Sequence, residues 1–62
     1  MEYIIIKLKD SYAITTTQAL EDFRKTGFLP YECSMKYKKY LLEHAKKIDK
    51  YKKLNTKTIN IY

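Results

Sequence analysis

One stretch constrains this chain more than any other: from roughly Ser34 to Leu54, apolar and lysine residues recur with helical spacing. On a helical wheel Tyr37, Leu41, His44, Ala45, Ile48 and Tyr51 form one stripe, with Tyr40 at its edge. Lys36, Lys39, Lys46, Lys47, Lys50 and Lys53 fall on the opposite face. Glu43 and Asp49 each lie within a turn of several lysines, which offsets their mutual repulsion. The pattern predicts one amphipathic helix about 30 Å long. It starts either at Pro30, as a first-turn proline, or at Ser34, as an N-cap, and stops at Asn55.

The N-terminal half reads as smaller elements. Glu2 to Lys9 is β-branched and sets Ile4, Ile6 and Leu8 on one face, with Tyr3, Ile5 and Lys7 on the other. That spacing predicts a strand with one face buried and the other partly so. Asp10-Ser11 is a turn signal, and Tyr12 to Ile14 can fold back as a hairpin strand. Thr15, Thr16 and Thr17 supply candidate N-caps, and Thr15 with Gln18 has capping-box spacing, which starts a first helix at Thr16. Ala19, Leu20 and Phe23 supply its buried stripe, and Arg24 and Lys25 sit where the helix dipole favours cations. Gly27, the only glycine, marks a left-handed stop, with Phe28 expected to return to Phe23 in a Schellman arrangement. Leu29-Pro30 is an extended connector. Thr56 to Tyr62 alternates, with Ile59 and Ile61 on one face, and predicts a final strand able to pair with the first.

The expected fold is therefore α+β, in the order β(β)ααβ. A small two- or three-stranded antiparallel sheet would carry two helices on one face, as a single domain over residues 1–62. A 62-residue chain buries only about 60% of its unfolded surface, so the core is small. Its apolar content of 45% is nevertheless too high for disorder. The longest apolar run, Tyr3 to Ile6, is far short of the ~20 residues of a membrane span, and no secretory leader is recognisable. One cysteine, Cys33, excludes an internal disulfide. A cytoplasmic location is expected.

Charge is the strongest functional hint. The net +6 lies wholly between Ser34 and Leu54, where eight lysines face two acids; elsewhere five cations balance five anions. Six lysines on one helical face can neutralise several phosphates in a salt-sensitive, largely sequence-independent way. With twelve lysines to one arginine, bidentate guanine reading is not expected. The abundance of Lys, Ile, Tyr and Asn, 28 of 62 residues, also matches the codon bias of an AT-rich genome, which supplies lysines without selection for phosphate. By association it points to a phage or mobile element, and so to a host cytoplasm.

Catalytic groups are sparse. His44, the only histidine, lies on the apolar stripe and reads as a packed, hydrogen-bonded core residue. Cys33 reads as a small hydrophobe, and one Cys with one His cannot build a structural zinc site. No Gly-rich phosphate loop is present. The chain is read as a non-enzyme with no cofactor and no metal. Tyr37, Tyr40 and Tyr51 interleave with lysines and could stack on bases, but their shared stripe assigns them to the core.

A strand followed by two helices around Gly27 resembles ribbon–helix–helix repressors, with Tyr3 to Lys9 as the ribbon. The long gap between strand and helix, the apolar ribbon positions and the extra C-terminal strand depart from that pattern. Helix–turn–helix spacing is absent, and no family is assigned. The leading expectation is a nucleic-acid-associated accessory or regulatory protein, held to the DNA or RNA backbone by Lys36, Lys39, Lys46, Lys47, Lys50 and Lys53. The alternative is a protein-binding module that docks on an acidic surface, such as an inhibitor of a host enzyme or defence complex, or a small subunit of a larger assembly. Tyr31, Met35 and Leu42, off the main stripe, would then be the anchors. A homodimer is compatible with either reading, and no membrane partner is expected.

Overall fold

A computed structural model describes residues 2–61. Four strands and two helices follow in the order β1 (Tyr3–Lys7), β2 (Tyr12–Thr16), α1 (Thr17–Thr26), β3 (Cys33–Met35), α2 (Lys38–Lys46) and β4 (Asn55–Asn60), with a 3₁₀ turn at Asp49–Tyr51. The fold is α+β, as expected. The sheet is larger than expected, with strand order β3-β2-β1-β4, and it is mixed: β1 pairs antiparallel with β2 but parallel with β4.

β1 is central because all three of its isoleucines are buried, Ile5 and Ile6 completely. Alternation sends Ile4 and Ile6 to one face and Ile5 to the other. On the first face Ile4, Ile6 and Ala13 pack with Leu8, Leu20, Leu29 and Ile61. On the second, Ile5 and Ile14 pack with Leu41, Ala45 and Tyr51, ringed by Tyr3, Tyr12, Cys33, Met35, Leu42, Ile48 and Leu54. Leu20 belongs to α1, whereas Leu41 and Ala45 belong to α2. The helices therefore cover opposite faces, and the expectation of two helices on one face is corrected. A run of three apolar residues in a central strand needs cover on both sides.

The hairpin forms at the expected place, with register Tyr3↔Thr16 to Lys7↔Tyr12 and the Leu8 N–H donating to the Ser11 carbonyl at 2.8 Å. Gly27 stops α1 in the left-handed region at φ 77°, its N–H donating to the Phe23 carbonyl at 2.8 Å. Two details differ. The N-cap is Thr16, whose hydroxyl accepts from Ala19 N–H at 3.1 Å. Thr15 belongs to β2 and donates to the Pro30 carbonyl at 2.7 Å, while Gln18 bonds Asp22 instead of closing a capping box. Phe28 N–H donates to the Thr26 hydroxyl and its ring is 66% exposed, so the stop is the simple left-handed cap, not a Schellman motif.

The largest correction concerns the long helix. Cys33–Met35 is an edge strand paired with Ile14–Tyr12, so the helix cannot begin at Pro30 or Ser34. It runs from Lys38 to Lys46 and ends at Lys47; Ile48 is extended at φ −116°, ψ 121°. An unbroken helix would have carried Tyr51 onto the stripe of Tyr37 and Tyr40, away from the direction that Leu41 and Ala45 take into the core. The break and the 3₁₀ turn bring Tyr51 inward to 5% exposure.

β3 and β4 both run parallel to β1, with β2 and β1 between them. α2 and the 3₁₀ turn are thus the crossover connecting two parallel edge strands. Asn55 begins β4 where it was expected to end the helix, and the register slips between Ile4↔Asn55 and Ile5↔Thr58. The Asn55 side chain accepts from Lys57 N–H at 3.0 Å within this bulge. Tyr62, expected in the last strand, lies outside the described residues. Among the described residues, no helix is long and apolar enough to cross a membrane.

Candidate nucleic-acid interface

With the helix broken, the six lysines expected on one ridge divide into two groups. Lys39 and Lys46 are two turns apart on α2, and Lys47 caps it, so all three project from the side opposite Leu41 and Ala45. Lys36 precedes the helix, with its ammonium 5.6 Å from the centre of the Tyr37 ring. All four are exposed. Glu43 is the one acid on that outer face.

Lys50 and Lys53 belong to a different environment. With Lys52, Glu2, Tyr3 and Asp49 they line a groove of about 530 Å³ between the 3₁₀ turn and the start of β1. Its cations are partly paired: Lys50 bonds the Glu32 carboxylate, and Lys52 lies 3.7 Å from Asp49. The Tyr51 hydroxyl also donates to Glu32, at 3.0 Å, while its ring packs edge-on against Tyr3 at 5.0 Å. The Lys50 ammonium holds the Glu32 carboxyl below its ordinary range, and Tyr51 helps through its hydrogen bond. Glu32 in turn raises the Lys50 pKa. Burial, followed by the Glu32 bond, raises that of Tyr51. This cluster ties the 3₁₀ turn to the residue just before β3, so Lys50 serves a structural contact.

The tyrosines rearrange most. Tyr51 is in the core, as expected, but Tyr37 and Tyr40 are 54% and 53% exposed. They form an edge-to-face pair, centroids 5.8 Å apart and planes at 78°, with the Lys36 ammonium over the Tyr37 ring. Alternation of aromatic and lysine residues was the signal for this patch, and the wheel misassigned it because Tyr37 only caps α2 and Tyr40, at the edge of the stripe, lies about 100° round the helix from Leu41.

Of the three candidate protein anchors, Met35 and Leu42 pack against the same core cluster, whereas Tyr31 lies apart from it. Tyr31 is 49% exposed in the α1–β3 connection. Met35 lies on β3 and Leu42 on α2, both half-buried against the core. Leu42 also lines a second groove, of about 310 Å³, with Ala45, Lys46, Tyr51, Lys52, Leu54 and Thr56. Cys33 is half-buried in β3 opposite Ile14, and His44 is half-buried on α2. Among the described residues, no group of three or more His, Cys, Asp or Glu side chains could hold a metal ion.

No family model matches the chain, and neither a curated protein nor a solved structure matches it, so the site is read from its own geometry.

Proposed function

We propose that the protein is a non-enzymatic accessory protein that binds the nucleic-acid backbone without sequence preference, through Lys36, Lys39, Lys46 and Lys47. The observation that carries this reading is the outer face of α2, where three lysines project together with only Glu43 opposing them and Lys36 stands immediately before. Lys50 and Lys53, in the groove behind the 3₁₀ turn, contribute at most long-range attraction.

Four phosphate contacts imply a plot of log affinity against log salt with a slope of about −3. Reversing Lys39, Lys46 and Lys47 to glutamate together should abolish binding to an oligonucleotide while leaving the thermal transition in place. Unchanged affinity or an unchanged slope in that variant would refute the assignment.

A second reading, a protein-binding module, is favoured by one observation. Phe28 and Tyr31, 66% and 49% exposed, stand three residues apart in the α1–β3 connection. An aromatic pair in a loop is a reasonable anchor for a protein partner. A stoichiometric complex that survives nuclease and is lost in Phe28→Ser with Tyr31→Ser would establish it in place of the first reading.

A further inference from the structure

We infer that the nucleic acid recognised by the α2 face is single-stranded, its bases stacking on Tyr37 and Tyr40. This rests on the backbone-binding reading above and adds the class of ligand. Two large aromatic side chains standing more than half exposed side by side need a reason in a chain with so small a core. Their edge-to-face contact occupies one ring face, and Lys36 lies over a face of Tyr37. At least two of the four faces are left without an aromatic or ammonium neighbour.

A duplex has no use for such faces, because its base planes are already stacked inside the helix. An unpaired strand presents them, and every base has one, so stacking is tolerant of sequence. Lysines near the rings supply the other half of the arrangement: the Lys36 ammonium sits over Tyr37, and Lys47 lies two turns from Tyr40 on the same side of α2. Phosphates of one strand would meet the lysines while its bases meet the rings. The scarcity of arginine is consistent with this, since stacking on tyrosine needs no bidentate fork.

The test compares three end-labelled probes at one salt concentration by fluorescence anisotropy: a twelve-nucleotide oligo-dT, an abasic strand of equal length and charge, and a twelve-base-pair duplex. The expected result is oligo-dT binding about tenfold or more tighter than the abasic strand, and tighter than the duplex. Tyr37→Ala with Tyr40→Ala should bring oligo-dT down to the abasic affinity, and the two Tyr→Phe changes should restore it. Equal affinity for oligo-dT and the abasic strand, or a preference for the duplex, overturns the stacking inference and leaves the lysine reading standing. No binding of any probe at low salt overturns both.

Discussion

At the scale of single residues, the contact that ties the 3₁₀ turn to the segment before β3 is Glu32 with Lys50 and Tyr51. It joins positions eighteen and nineteen apart in sequence, and it holds the 3₁₀ turn in place. Because the folded carboxyl titrates below its ordinary value of 4.5, its contribution is present above the unfolded pKa and is lost as pH falls through the lower folded value. Urea midpoints between pH 7 and pH 3 should therefore fall less steeply in Glu32→Gln than in the wild type; parallel profiles would show that the pair carries no stability. Thr58 gives the opposite case. Its hydroxyl is buried without a hydrogen-bond partner among the described residues, so Thr58→Val removes an uncompensated polar group at nearly constant shape. The substitution should be neutral or stabilising by up to about 1 kcal/mol, read as a raised midpoint. Neither residue was marked in the sequence: a long-range acceptor has no periodicity, and an orphaned hydroxyl is defined only by what surrounds it.

At the scale of elements, local chemistry was readable where one or two residues decide the outcome. Gly27 ends α1 because a left-handed residue is required there, and Asp10-Ser11 marks the hairpin turn through the turn preference of short polar side chains, with neither Asp10 nor Ser11 at positive φ. The cap was misplaced by one residue, because three successive threonines offer the same side chain and only the extent of β2 selects Thr16. Thr16→Ala should cost about 1 kcal/mol through the lost bond to Ala19, measurable by chemical denaturation, while Thr17→Ala should cost much less. The second helix was overextended at both ends. Cys-Ser-Met is too short for a strand signature and continues the helical spacing, so only pairing with β2 reveals it. The end at Lys47 is decided by Tyr51, whose place against Tyr3 and Glu32 an uninterrupted helix could not supply.

At the scale of the whole molecule, the sheet is enclosed between two helices, and the charge sits on its α2 side. The clue to two-sided cover was in Ile4-Ile5-Ile6, three buried residues where a one-sided strand would alternate. That β4 lies parallel to β1 was not legible, because strand direction depends on the crossover and not on the alternation of Thr56 to Ile61. The lysine excess was legible as charge but not as a surface: the fold keeps Lys36, Lys39, Lys46 and Lys47 around α2 and diverts Lys50 to Glu32. It also exposes Tyr37 and Tyr40, which turns a charged helix into a charged and aromatic one. The most direct measurement is an amide NMR titration of the ¹⁵N-labelled protein with oligo-dT. Binding through this face predicts shifts concentrated at Lys36 to Tyr40 and at Glu43 to Lys47, fading as salt is added. Shifts centred on Phe28 to Tyr31 or along β4, or none at low salt, would contradict it.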